Sequence, residues 1–335
     1  MKTSLCISVL IMAFLAVVPD SQASPGAANK VVMSESALRK AFPEMPQFDT
    51  RSIRPVLMRY KFKNGETVRM TMDLVMDNSI LLMDRKADMQ MLISMDAEYS
   101  VKSVAENGDA WADFTITRIT MKATNPASPT GITFDSDKEQ QDANPKLAAL
   151  KVFVKTTIPV KVSSIGKILD MNLDPIHEAV AKAGEAAALL DFGKTADKAM
   201  KSSFTQLSLK PVKPGDIYEA GTIVEKLDNL GEMSLTARYK VLAVSGDGQR
   251  VLLQPLGNMS LKPVSGNTGT MKVRMKKGTV DGWLLFDVGK GNIVRSAAAS
   301  GMELSMSQDN VTMKMIADTK IRCENLEWKQ ANPGR

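Results

Sequence analysis

Aromatic residues make up only 5% of this 335-residue chain, histidine occurs once, and there are two cysteines. Each scarcity removes a class of function. A lone histidine, His177, excludes metal sites built from several imidazoles and leaves any His-dependent catalysis resting on one side chain. It falls on the first turn of a predicted helix, where the positive end of the dipole disfavours an imidazolium, so it reads as a structural residue. Nucleic-acid recognition wants a clustered basic face interleaved with stacking rings, and here Lys and Arg are scattered along alternating strands. Cys6 lies inside an N-terminal apolar run, which leaves Cys323 without an intramolecular disulfide partner, so stability has to come from a core.

The usual catalytic spacings are missing as well. There is no Gly-rich dinucleotide fingerprint and no phosphate loop ending in Gly-Lys-Ser/Thr. Ser164-Ile-Gly-Lys167 has a Ser-x-x-Lys spacing, but at a hairpin turn rather than opening a helix, and Lys277-Gly278-Thr279 reverses the Lys-Thr-Gly order of acyl-serine enzymes. Asp287-Val-Gly-Lys-Gly-Asn292 offers two side-chain oxygens beside a lysine, too few for calcium. The expectation is a protein that is not an enzyme, with no metal and no cofactor.

The first 23 residues have the form of an export signal. Lys2 begins it, Leu5 to Val18 is an apolar run short for a bilayer span, and Ser21-Gln22-Ala23 offers small residues for cleavage. An uncleaved amphiphilic anchor is the alternative reading. The expected location is the periplasm or the extracellular space, and no later segment is apolar enough to cross a membrane as a helix. A net charge of +6 allows weak attraction to anionic envelope surfaces.

Residues 24–54 mix Ala, Pro, Gly and Ser around one short helical stretch, Glu35 to Phe42, and read as a flexible N-terminal arm. From Pro55 the period becomes two. Met70, Met72, Leu74 and Met76 share one strand face, and Met89, Met91, Ile93, Met95, Ala97, Tyr99 and Val101 share the next. Asn64-Gly65 and Asn107-Gly108 mark tight turns. Asn125 to Gly131 reads as a Pro-rich loop, and Ile158 to Leu169 as a hairpin turning at Gly166.

Residues 172–207 change to helical spacing, with Ile176, Ala179, Val180, Ala183, Ala187 and Leu190 on one stripe, then Ala196, Ala199, Met200, Phe204 and Leu207 on another. Asp174 is the expected N-cap and Pro175 the first helical residue. After this helical pair the strand pattern resumes: Ala237-Arg-Tyr239-Lys-Val241-Leu-Ala-Val244 matches Ala97-Glu-Tyr99-Ser-Val101-Lys-Ser-Val104. From Thr270 the expected strands are Met271–Met275, Trp283–Phe286, Ile293–Ala299, Met302–Met306 and Val311–Cys323, joined too closely for crossovers and therefore antiparallel. The predicted fold is mainly β with a central helical pair (α+β), as two tandem antiparallel half-barrel or sandwich-like units: 55–171 and 208–328 around the helices at 172–207, with a tail at 329–335.

The export signal, Tyr99-Ser-Val101-Lys-Ser-Val104, Asn107-Gly108-Asp109-Ala110, Ile119-Thr-Met121-Lys122, Phe134-Asp135-Ser136, the Val160 to Ile168 hairpin and Val212-Lys-Pro-Gly215-Asp216 together resemble a family of secreted proteins of planctomycete-type bacteria, classed as a domain of unknown function. The resemblance spans about Pro55 to Leu326. Its motifs are turn and strand residues, so it implies export and a fold but no catalytic or binding residue. In architecture alone, long antiparallel strands around a few helices are also similar to periplasmic lipoprotein carriers, whose open half-barrel shields acyl chains.

Methionine is the abundant exception, with 23 residues. Flexible, polarizable thioethers on inward faces suit either an irregular core or an adaptable apolar cavity. The candidate ligand-binding residues are Met70, Met72, Met76, Met89, Met91 and Met95 from the first half, with Met271, Met275, Met302, Met306, Met313 and Met315 from the second. The expected function is non-catalytic binding of a lipid, an acyl chain or a lipidated partner. The alternative is a structural or interaction protein of the envelope with no small ligand.

Overall fold

Apolar and polar side chains alternate for most of the chain, and in the computed structural model that alternation becomes, among the described residues, one open sheet of twelve strands. Residues 33–82, 85–125, 128–138, 151, 153–183, 204–227, 231–262, 272–308 and 311–327 are described. In chain order the elements are α1 (Glu35–Ala41), β1 (Thr67–Leu82), β2 (Arg85–Val104), β3 (Ala110–Asn125), β4 (Ser128–Asp135), β5 (Thr157–Val162), β6 (Ile168–Met171), α2 (Asp174–Ala183), β7 (Ile217–Leu227), β8 (Gly231–Val244), β9 (Arg250–Lys262), β10 (Lys272–Asp287), β11 (Asn292–Gln308) and β12 (Val311–Asn325). The fold is mainly β with helices seated on the sheet.

The strands run β6-β5-β3-β2-β1-β12-β11-β10-β9-β8-β7, and β4 pairs with β3 beside that path. Every pairing between these strands is antiparallel. The two strand-rich stretches expected as tandem units therefore lie side by side in a common sheet. They join where β1 meets β12, in register from Met70↔Asn325 to Leu82↔Met313.

The register is pinned from the polar outer face. Thr71 donates to Asp96 at 2.7 Å, Ser94 to Asp73 at 2.6 Å, and the Gln90 amide to Asp77 at 2.8 Å, each rung linking β1 to β2. A slip of one residue would turn these carboxylates onto the apolar side, so the pairing has no cheap alternative. On the inner side of β9 and β10 the backbones crowd together. A Cβ on Gly257 would sit 2.7 Å from Val280 Cβ, and one on Gly278 would sit 2.7 Å from Met259 Cβ and 2.9 Å from Met275 Sδ. Only glycine permits that approach.

The inner face carries the larger core, which draws on both halves and includes Ile176 of α2, fully buried, with Ala179 and Val180 packed against it. Asn172 Oδ1 accepts from the Asp174 N–H at 2.8 Å in an Asx turn, and Leu173 C=O accepts from His177 N–H at 3.1 Å, so the helix already includes Asp174 and starts one residue before the expected position. Residues 184–203 lie outside the described residues, and with them most of the predicted second helix. Its last residues, Phe204 and Leu207, are buried in non-helical backbone, with Leu207 N–H donating to Ile165 C=O at 2.8 Å.

Residues 51–62 stitch the sheet's two sides together at one end. Val56 pairs with Val212, Tyr60 N–H donates to Ser164 C=O at 2.8 Å, and Lys61 N–H to Gly291 C=O at 3.1 Å. Residues 33–54, expected as part of a flexible arm, instead form a strap across the outer face. Leu38, Phe42 and Met45 pack there on Trp283, Leu285 and Leu252 in a second core. Three apolar residues at helical spacing are enough to seat the segment, and the Gln254 amide holds it by donating to Met33 C=O at 3.3 Å.

Three local expectations are corrected. The Pro-rich loop at Asn125 to Gly131 is largely strand, because Ile132 and Phe134 extend the apolar face of β3 through β4, and Gly131, with a φ of +75°, lies in the bulge between the Asn125↔Ser128 and Ala123↔Ile132 pairs. Met271–Met275 and Trp283–Phe286 belong to the single strand β10, apart from Met271, which lies outside the described residues. Ile293–Ala299 and Met302–Met306 likewise merge into β11. The glycines that look like breaks, Gly278, Gly282 and Gly301, are strand residues, and a bulge between Met275 and Lys277 absorbs the irregularity.

Candidate functional site

Pairing across the seam brings the candidate methionines onto one surface. Met72 faces Met95 and Met76 faces Met91 between β1 and β2, while Met306 faces Met313 between β11 and β12. Met315 stands opposite Ile80 of β1 and Leu304 of β11, and Met302 opposite Ala317. Met70, Met89 and Met275 lie on the same side, by alternation with their neighbours. Met76, Met91, Met95, Met302, Met306 and Met315 are buried, whereas Met70, Met72, Met89, Met275 and Met313 keep partial exposure. Thus all the candidates except the undescribed Met271 share the inner face.

That face is graded along its length, which the sequence reading did not anticipate. Aromatic side chains gather where β1 begins and β2 ends: Tyr60, Phe62, Tyr99, Phe204 and Phe286 contact one another with ring centroids 5.5–6.4 Å apart. Tyr218 and Tyr239 stack at 5.7 Å. Methionines dominate toward the opposite end, where β1 turns into β2 and β11 into β12. One end is therefore a stiff aromatic floor, and the other is lined by side chains with three rotatable bonds each.

Burial suppresses the ionisation of every tyrosine by raising its pKa. Tyr60 and Tyr218 are raised well above the usual phenol value by desolvation, Tyr99 is raised for the same reason with Glu66 adding to it, and Tyr239 is pushed up to about 12. Cys323 shares the inner face, opposite Met72 and Ser296; desolvation pushes its thiol up to about 11, partly countered by a hydrogen bond with Ser296. These groups stay neutral near pH 7, so the face carries no charge from them.

Asn78 breaks the apolar pattern. It stands on the inner face of β1 between Met76 and Ile80, opposite Met89 of β2 and Ala317 of β12. It is 5% exposed, and neither Oδ1 nor Nδ2 has a hydrogen-bond partner among the described residues. Sequence reasoning missed it because Asp77 and Ser79 are polar too. The signal was its position: it takes the next inward place after Met70, Met72, Leu74 and Met76.

Elsewhere the surface offers little chemistry. An open hollow of about 470 Å³ at the β1–β2 end is lined by the outward Asp77, Ser79, Asp88, Gln90 and Asp318 and also by Asn78 and Met89. Asp88 is paired with Lys86 at 2.9 Å, and its carboxyl is lowered chiefly by that lysine. Among the described residues no group of His, Cys, Asp or Glu is arranged to hold a metal, and no helix is long and apolar enough to cross a membrane. His177 is exposed on α2.

No family model and no curated protein matches this sequence. Solved structures do. A lipovitellin structure described as concerning lipid–protein interactions aligns with 79% of this chain at 12% identity and a TM-score of 0.42; the chain spans 25% of that protein's length. DynF, from the dynemicin biosynthesis pathway of Micromonospora chersina, aligns over 88% of this chain and 92% of its own at 6% identity, with a TM-score of 0.19. A DUF1329 family protein from Desulfovibrio piger aligns over 75% of this chain and 83% of its own at 9% identity, with a TM-score of 0.13.

Proposed function

We propose that this protein is an exported, non-catalytic binding protein for an apolar or amphiphilic ligand, such as a lipid, an acyl chain or a lipidated partner, held against the inner face of the sheet. One observation carries the reading: five strands from opposite ends of the chain converge their methionines on one surface, and several of those side chains remain partly exposed. A protein core needs no such concentration of flexible side chains. Leu and Ile fill space with less rotamer entropy to lose, whereas an adaptable surface gains from Met.

The resemblance to secreted proteins of planctomycete type belongs to the same proposal, as do the leader at residues 1–23 and a place in the periplasm or outside the cell. The rival, a structural or interaction protein of the envelope with no small ligand, requires the methionines to be closed core.

Native mass spectrometry of the protein purified from its own envelope, followed by solvent extraction, tests the reading. The expected result is a mass excess that collapses to the bare chain on extraction and releases a lipid or acyl compound. Bare chain alone, together with no binding of the neutral fluorescent probe N-phenyl-1-naphthylamine, would sink it.

A further inference from the structure

Asn78 is the only polar residue among the inward places of β1 from Val68 to Ile80. A primary amide offers one acceptor oxygen and two donor hydrogens, and burying it without partners is costly in any interior. Swapping Oδ1 and Nδ2 changes nothing, because both lack partners among the described residues. Native proteins rarely leave both ends of one buried side chain unmet, so an unmet pair points to a group that arrives from outside.

The surroundings define that group. The inward places of the adjoining strands, Ala87 to Val101 on β2, Met313 to Asn325 on β12 and Ser296 to Met306 on β11, carry no charged residue. The nearby carboxylates Asp77 and Asp318 point to the outer face. An ionised headgroup set against Asn78 would lose its water and meet no counter-charge among the described residues. A neutral group that donates and accepts together meets both ends of the amide at once; a primary amide, a hydroxyl or a protonated carboxylic acid does this. An alkyl chain attached to it would run along β1 over Met76 and Leu74, which are 0% and 4% exposed and must part to admit it, and then over the partly exposed Met72 and Met70, about 26 Å at about 3.3 Å per residue, toward the aromatic floor.

We infer that Asn78 receives the neutral polar end of a single-chain amphiphile whose tail lies along the methionines of β1, β2 and β12. The inference rests on the binding reading above and narrows its ligand class. A bare hydrocarbon fits the tail path but leaves the amide unmet, and a charged amphiphile is penalised by the uncharged wall.

The test is displacement of N-phenyl-1-naphthylamine from the delipidated full chain by hexadecanamide and by hexadecane. In the wild type, hexadecanamide should compete about tenfold better, the size of one well-placed pair of hydrogen bonds. In Asn78→Leu that preference should vanish while hexadecane competes as before, and the ligand-free variant should melt no lower than the wild type. If Asn78→Leu folds poorly, Asn78→Ala, which adds no bulk, reads the same preference. A preference that survives in the variants, or its absence from the wild type when both compounds bind, overturns the role of Asn78 and leaves the binding reading intact. Failure of the wild type to bind the probe or either compound overturns both.

Discussion

Val101 and Val241 are held in the same way, each by two backbone hydrogen bonds to a glycine turn. Val101 C=O accepts from Gly65 N–H at 3.0 Å and its N–H donates to Glu66 C=O at 2.8 Å; Val241 C=O accepts from Gly215 N–H at 2.8 Å and its N–H donates to Asp216 C=O at 2.8 Å. Both valines precede a bulge, between Val101 and Ser103 on β2 and between Val241 and Ala243 on β8. The same small clasp thus starts the strands on both sides of the seam.

The glycines of these turns are not equivalent to the one at the β5–β6 hairpin. Gly65 and Gly215 have φ of +77° and +94° with nothing near a built Cβ, so Gly65→Ala or Gly215→Ala should cost only the left-handed penalty, about 1 kcal/mol. At Gly166, φ is +83° and a Cβ would meet Thr205 O at 2.5 Å and Tyr60 Cε2 at 2.6 Å. Gly166→Ala should therefore cost about 3 kcal/mol or more, since strain and overpacking add. Urea midpoints of the three variants check the order, and equal losses would refute it.

Alkali should unfold the protein cooperatively. All four tyrosines and Cys323 are raised in the folded state, chiefly by desolvation, while the unfolded chain deprotonates near the ordinary values of 10 and 9. The unfolded chain then binds fewer protons, so stability falls as pH rises from about 9 through 12. Tyrosinate absorbance should stay flat until circular dichroism collapses, and both should then change together. A tyrosine that titrates near pH 10 in an intact fold would contradict this.

The strap depends on Leu38, which is fully buried against the outer-face cluster. Leu38→Ala should lower stability by about 3 kcal/mol. It should also speed proteolysis within residues 33–54, read as the rate at which that segment is cut by a broad-specificity protease. Unchanged cleavage would mean that the segment is held by other contacts.

Peroxide should sort the methionines by exposure. Met72, Met275 and Met313 are partly exposed, whereas Met58 and Met76 are at 1% and 0%. Peptide mass spectrometry after brief oxidation should find sulfoxide first in the exposed group, and a bound amphiphile should slow it there. Early oxidation of Met76 in folded protein would show that the inner face opens more widely than its burial implies.

Much of this was legible in the sequence because alternation is local: Met70, Met72 and Met76 declare a shared face without knowledge of any partner strand, and the likeness of Tyr99-to-Val104 and Tyr239-to-Val244 needs only a comparison of residues. The union of the two halves was not legible. Which strand lies beside β1 depends on matching faces at opposite ends of the chain, and nothing in Met70 to Leu82 names Met313 to Asn325 as the partner. The gap between the expected strands Met271–Met275 and Trp283–Phe286 is closed by Gly278 and Gly282, whose close backbone approach depends on neighbouring strands and is not visible locally. The strap was hidden by composition, since a few well-spaced apolar residues in a Pro- and Ser-rich segment outweigh the flexibility around them.

The β1–β12 pairing has a consequence for how the molecule comes into being. A chain made from its N-terminus carries β1 from the outset, yet β12 is the last strand to be delivered. Until then β1 and β11 each present an unpaired edge beside an apolar flank, the arrangement most prone to pairing with other chains. Sequence separation this large also makes the closing contacts slow to form. The interval between those two events is when the protein most needs a chaperone, and a truncation that removes β12 would leave that vulnerable state permanent.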